Sequence, residues 1–253
     1  MRLGIMQPYF FPYIGYFQLI NAVDKFIMYD DLDFIKEAWV NRNKILIKNI
    51  GPSWITMPLV KKSSNTKIND IVIDNTKSWQ NNIKKTLELN YGRAPMFEMV
   101  FALVSDILNY ETQSLSDFNY HSIHKISTYT GIKTPIVRND EIYLTIERKL
   151  EENSIKTKYK NLDDTDIEKK VLRVFEICKY NKTDVFINAI GGRELYSKSL
   201  FAANGLDVRF VKTDTIEYKQ FGPIFYPSLS IIDVMMFNNA DTINQMLSRY
   251  EFV

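Results

Sequence analysis

Leu3-Gly4-Ile5-Met6-Gln7-Pro8-Tyr9-Phe10-Phe11-Pro12-Tyr13-Ile14-Gly15-Tyr16-Phe17, with Lys25-Phe26-Ile27-Met28-Tyr29-Asp30-Asp31 after it, decides the fold class. Leu3 to Met6 is a short apolar run that reads as a buried strand. Pro8 and Pro12 punctuate the turn behind it. Gly15 to Ala22 reads as a helix with Phe17, Leu19 and Ile20 facing inward. Lys25 to Tyr29 reads as a second strand. Strand, loop, helix and strand in that order open a parallel α/β sheet, and a right-handed crossover puts the helix on one of its faces.

Working outward, Lys44 to Ile47 and Trp54 to Pro58 read as strands around the Gly51-Pro52 turn, and Ile68 to Ile73 as a further strand. Helices are predicted from Thr76 to Tyr91, from Met96 to Leu108, and from a Ser114 or Ser116 cap to Gly131. Together they outline a helical subdomain over about 76–131. Residues 139–164 are rich in Lys, Glu, Thr and Asn and are predicted to form a mobile loop. A helix then runs to Tyr180. A strand follows over Asp184 to Ala189, then Gly191-Gly192, a helix to Ala203, a strand over Val208 to Lys212, and two terminal helices over Ser228–Asn238 and Asp241–Tyr250. The second half alternates helix and strand like the first. The expected architecture is therefore one α/β unit over 1–253: a Rossmann-like, mostly parallel sheet with flanking helices.

The composition narrows the function classes. In 253 residues, 32 Lys and Arg nearly balance 30 Asp and Glu. That balance gives no electrostatic case for nucleic acid as the main partner. One cysteine excludes an internal disulfide and a cysteine zinc cluster. The chain shows no signal-peptide pattern and no run of about 20 apolar residues, so a cytoplasmic protein without membrane insertion is expected.

Several long motifs carry a resemblance across the chain. They are Met6 to Phe17, Tyr29-Asp30-Asp31, Phe34-Ile35-Lys36, Trp39-Val40-Asn41-Arg42-Asn43, Gly191-Gly192 with Leu195-Tyr196, and Leu229-Ser230-Ile231-Ile232-Asp233. On these the chain resembles the WbqC-like family. The resemblance implies a place in bacterial surface-polysaccharide (O-antigen) biosynthesis, among pathways to nucleotide-linked amino sugars. The opening is also similar to the strand–loop–helix start of the HxGH nucleotidyltransferases and class I aminoacyl-tRNA synthetases. Tyr13 and Tyr16 stand where that motif has histidine. Tyrosine donates a hydrogen bond but carries no positive charge, so binding without adenylation is expected.

The candidate ligand contacts of the opening loop are Gln7, Tyr9, Phe11, Tyr13, Gly15 and Tyr16. A helix N-terminus there would favour an anion. The alternative is a proline-stiffened turn packed by aromatics. Asp30 and Asp31 follow a strand, where α/β sheets present ligands, and are candidate catalytic carboxylates. Asp31-Leu32-Asp33 also spells the DxD of metal-dependent glycosyltransferases, although no metal ligand is assigned. Lys36, Trp39, Asn41, Arg42 and Asn43 suit a diphosphate or a sugar. Asn188, Gly191, Gly192 and Tyr196 follow a later strand, with Asn188 a candidate oxyanion donor. His121 and His124 share one helical face as a candidate acid–base pair. Cys178 shares an apolar stripe with Val171, Val174 and Phe175 and reads as core. Asp233, alone in an apolar helix, requires a buried partner.

The expected activity is transfer of an acyl or aminoacyl group to the amine of a nucleotide-linked amino sugar. No cofactor is required. The donor would be acyl-CoA or a group borne by an acyl carrier protein or an aminoacyl-tRNA. The alternatives are a metal-dependent glycosyltransferase and a non-catalytic sugar-nucleotide-binding protein.

Overall fold

The computed structural model describes residues 1–60, 66–138, 141–152 and 166–253. Its centre is a six-stranded sheet. The strands are β1 (Arg2–Met6), β2 (Lys25–Met28), β5 (Ile136–Val137), β6 (Val185–Ala189), β7 (Asp207–Thr213) and β8 (Tyr250–Phe252), ordered β5-β2-β1-β6-β7-β8. All neighbours are parallel except β7 and β8. Both halves of the chain thus share one sheet, as their alternation predicts. Chain order turns outward in opposite directions from β1 and β6, which makes their junction a topological switch point.

Strand alternation sets the two faces. Phe26, Met28, Ile187 and Val211 enter one buried cluster with α1 (Ile14–Asn21), α8 (Ile231–Phe237) and α9 (Ala240–Met246). Leu3, Ile5, Ile27, Phe186 and Phe210 enter the other with α5 (Glu141–Glu151), α6 (Asp166–Tyr180) and α7 (Lys198–Ala203). Cys178 is buried in this second cluster, and burial pushes its thiol up to about 12, which keeps it protonated and inert.

Between β2 and β5 come an antiparallel hairpin, β3 (Arg42–Ile47) and β4 (Gly51–Thr56), and then α2 (Trp79–Tyr91), α3 (Phe97–Leu108) and α4 (Leu115–Tyr129). Their inward residues belong to the same cluster as α1, so no separate core divides them from the sheet.

Some boundaries differ from the sequence reading. Ile68 to Ile73 is a single 3-10 turn at Ile68–Asp70 followed by isolated bridges at Val72 and Ile73. Ile68, Ile71 and Ile73 are all buried, but each turns inward from irregular backbone. Helix α2 starts three residues later than expected. Asp74 accepts the Thr76 backbone N–H and hydroxyl, holding Thr76 in a turn instead of a cap. Ser114, not Ser116, caps α4 through the Asp117 N–H. The helix after Gly191-Gly192 begins only at Lys198, under a Ser197 cap, and Ile190–Gly192 forms a 3-10 turn.

Two expectations are overturned more fully. Part of the predicted mobile loop is the helix α5, because Tyr143, Ile146 and Leu150 form a buried helical stripe among polar neighbours. The rest of that loop, 139–140 and 153–164, lies outside the described residues. The last predicted helix ends at Met246, and Tyr250–Phe252 adds a strand beside β7. Three residues are too few to show alternation.

Candidate functional site

The carboxyl ends of the parallel strands gather most of the expected site. Gln7 and Pro8 follow β1, Asp30 and Asp31 follow β2, Arg138 follows β5, and Gly191 and Gly192 follow β6. The N-terminus of α1 faces the same end.

Three residues of the β1–α1 loop are half-buried with polar tips. Gln7 donates to the Tyr9 hydroxyl at 3.1 Å, and Tyr9 tilts against Tyr16 with ring centroids 5.6 Å apart. Tyr13 lies over Gly15 so closely that a Cβ there would meet its ring at 2.4 Å. Burial pushes the Tyr9 and Tyr13 hydroxyls up, so both stay neutral donors.

The rest of that loop is scaffold. Phe11 is fully buried at φ +41, packed on Phe10 and Phe118, and is core instead of the expected ligand contact. Tyr16 is also buried, with its hydroxyl on the Gln7 carbonyl at 3.0 Å. Buried amides hold the backbone in place. Asn43 donates to the Phe10 and Phe11 carbonyls at 3.1 and 2.8 Å, and Asn41 to the Met57 carbonyl at 2.9 Å. Asn119 and Ser230 do the same for Val40 and Phe11, both at 2.8 Å. Asn41 and Asn43 therefore brace the site from below and do not line it.

The two aspartates part company. Asp30 is buried at the N-terminus of α4, accepts from the Ser116 hydroxyl, and has Arg138 Nε 3.8 Å away. Arg138 also reaches Asp117 at 2.5 Å. Asp30 is thus a buried brace between β2 and α4, closed off from the substrate that its expected acid–base role requires it to meet. Asp31 is half-exposed. Burial, then the nearby Glu147 carboxylate, push its pKa above the usual carboxylate value, with Lys67 and Arg173 opposing. A carboxylate with a raised pKa at a sheet end is a stronger base than an ordinary one.

Glu147 is held by Arg173 through both oxygens and by the Tyr29 hydroxyl at 2.5 Å. Sequence reasoning missed this trio because its members lie just after β2 and on α5 and α6, and Glu147 falls in the expected loop. Missed as well were Ser116 and Arg138, the latter because the two-residue strand β5 before it is too short to read from sequence.

A platform of aromatic and basic side chains adjoins the crevice. The outer face of the β3–β4 hairpin carries Arg42, Lys44 and Trp54, and Trp39 packs on Trp54 with centroids 5.2 Å apart. The Arg42 guanidinium lies 4.2 Å and the Lys44 ammonium 4.9 Å from the Trp54 ring centre. Trp39 and Trp54 stay 40% and 42% exposed. The Phe10 N–H bonds the Trp39 carbonyl at 2.9 Å, tying the platform to the crevice loop. Lys36 is exposed on the approach. Trp54 was not singled out from sequence; its cross-strand pairing with Lys44 is visible only in the hairpin register.

Across the switch point, Asn188 is buried. Its amide turns to the Ile5 carbonyl at 3.4 Å while its oxygen accepts the Ala189 N–H at 2.7 Å. The expected oxyanion donor is therefore a strand brace. Gly192 presses on it, since a Cβ there would meet Asn188 Oδ1 at 3.0 Å. Gly191 is exposed with open space around it. Tyr196 packs edge-on against Phe186 and Phe201, and burial pushes its hydroxyl up to about 12.

The histidines lie elsewhere on α4. His121 stacks on Tyr110 at 4.0 Å, its pKa lowered chiefly by burial, and its charged neighbours are Lys125, Asp106 and His124. His124 is exposed beside Tyr120. Asp33 pairs with Lys67 at 3.0 Å, away from Asp31. Among the described residues, no group of three His, Cys, Asp or Glu side chains could hold a metal ion, and no helix is long and apolar enough to cross a membrane.

Fold and site define a doubly wound α/β protein with a polar-aromatic crevice at the switch point. The WbqC-like protein family matches residues 7–245, and the chain belongs to that family. It is 28% identical over 237 residues to the uncharacterised Mycobacterium tuberculosis protein Rv1507c, across 92% of each chain. No solved structure matches.

Proposed function

We propose that the protein is an enzyme of bacterial surface-polysaccharide biosynthesis that transfers an acyl or aminoacyl group to the amine of a nucleotide-linked amino sugar. Family membership and the resemblance set out above support the pathway. The reaction rests on one observation: Asp31, at the carboxyl end of β2, is a half-exposed carboxylate whose pKa is raised by burial and by Glu147.

An amino sugar reaches the crevice as an ammonium, which cannot attack a carbonyl. Asp31 takes its proton. The amine nitrogen then bonds to the acyl carbon, a backbone N–H of the first turn of α1 or of Gly191 meets the developing oxyanion, and the donor's thiol or hydroxyl leaves with a proton. Gln7, Tyr9 and Tyr13 contact the nucleotide. Arg42 and Lys44 face its diphosphate, and the Trp39–Trp54 pair stacks on a flat ring. The donor is carried by coenzyme A, a carrier protein or tRNA.

The glycosyltransferase reading loses support because Asp33 is exposed and paired with Lys67. The test is turnover of nucleotide-linked amino sugars with an acyl donor by the native chain and by Asp31→Asn. Loss of turnover with acceptor binding retained supports the reading. Undiminished turnover removes Asp31 from the chemistry.

A further inference from the structure

A second concavity lies at the far end of the β3–β4 hairpin. Its six-residue strand β3 carries the chain about 17 Å from the Arg42 platform. There the hairpin turn, the end of α2 and the 221–226 loop enclose a groove of about 890 Å³. That volume lies within the ~300–1,000 Å³ of ligand sites.

Its walls mix polar and apolar side chains, and several of the apolar ones stand open to solvent. Ile50, Leu89 and Ile224 are 77%, 81% and 61% exposed, and Phe221 is 38% exposed. Surface apolar side chains gathered around a concavity mark a binding site more than scattered ones do. Lys48 and Arg93 line the same groove against one acid, Glu88, and no ion pair engages either cation among the described residues.

The groove is also braced from beneath. Buried Asp233 accepts from Tyr91 at 2.6 Å, Tyr218 at 2.6 Å and Gln220 at 2.7 Å. Tyr91, the last residue of α2, accepts the β3 N–H of Leu46 at 2.8 Å. Gln220 clasps Tyr226 by its N–H and carbonyl at 2.8 and 3.0 Å. One buried carboxylate thereby ties together all three walls.

We infer that this groove binds a linear hydrocarbon chain ending in a phosphate-type anionic head, the chain along the apolar wall and the head at Lys48 and Arg93. The site is distinct from the crevice, and its test needs no turnover. Octyl phosphate, octanol and inorganic phosphate are titrated calorimetrically into the full-length protein. Octyl phosphate is expected to bind one to one, at least tenfold tighter than either other probe. Leu89→Asp and Arg93→Glu, both on solvent-exposed positions, each lose at least tenfold, while Asp31→Asn binds as the native chain does. Equal binding of octanol or of phosphate alone, no saturable binding, or insensitivity to both groove variants overturns the inference.

Discussion

The Tyr29 hydroxyl donates to the Glu147 carboxylate at 2.5 Å, and Asp30-Asp31 begins one residue further along the chain. The bond joins the end of β2 to α5. Together with Arg173 it fixes the Glu147 carboxylate in place beside Asp31.

Glu147→Gln should therefore lower the Asp31 pKa. It removes the nearby negative charge and leaves burial to raise the pKa against Lys67 and Arg173. Carboxyl-carbon NMR titration, assigned with Asp31→Asn, measures it. The acid limb of the pH–rate profile should move down by the same amount.

Asp233 makes stability depend on pH. Burial raises its pKa against three donated hydrogen bonds. The folded state thus holds this proton more tightly than the unfolded chain, and stability is lost as pH rises from the ordinary aspartate value through the raised one. Urea unfolding across that window should show the decline, and Asp233→Asn should flatten it. Tyr218→Phe removes one donor from a buried carboxylate and should cost about 1–3 kcal/mol.

Gly15→Ala should act on the site more than on the fold. The new Cβ meets the outer atoms of the Tyr13 ring, which can swing away, so the melting temperature should change little. Acceptor affinity should fall at least tenfold because Tyr13 no longer covers the helix start. Calorimetric titration beside a thermal melt separates the two effects.

Trp54→Ala should leave stability within about 0.5 kcal/mol, since the ring stands on the exposed face of the hairpin. It should weaken acceptor binding by about 1–3 kcal/mol, the worth of a stacking contact in comparable sites. Asn43→Ala is the contrasting case. It strands the Phe10 carbonyl, leaves the Phe11 carbonyl with Ser230 alone, and should cost about 1–3 kcal/mol of stability by urea unfolding.

Much of the fold was legible because short apolar runs ending in Gly, Pro or Asp mark buried parallel strands. What failed had a physical reason. The stripe of Tyr143, Ile146 and Leu150 is thin, and the polar residues around it outweighed it in composition. The β8 strand is too short to alternate. In the site, position relative to strand ends was readable, and Gln7, Asp31 and Gly191 do follow the carboxyl ends of β1, β2 and β6. Side-chain direction was not. Asn43, Asn188 and Asp30 have the polarity of ligand contacts but turn inward to satisfy backbone and charge. Asp233 shows the opposite case: an isolated acid on an apolar helix demanded partners, and Tyr91, Tyr218 and Gln220 supply them.

The most direct test is thermal stability of the native chain in the presence of nucleotide-linked amino sugars, their non-amino counterparts and the free nucleotides, with and without magnesium. A ligand at 100 times its dissociation constant adds about 2.7 kcal/mol of stability. The account predicts a metal-independent shift with an amino-sugar nucleotide that is reduced in Trp54→Ala and kept in Asp31→Asn. No shift with any amino-sugar nucleotide, or one that appears only with magnesium, would contradict it.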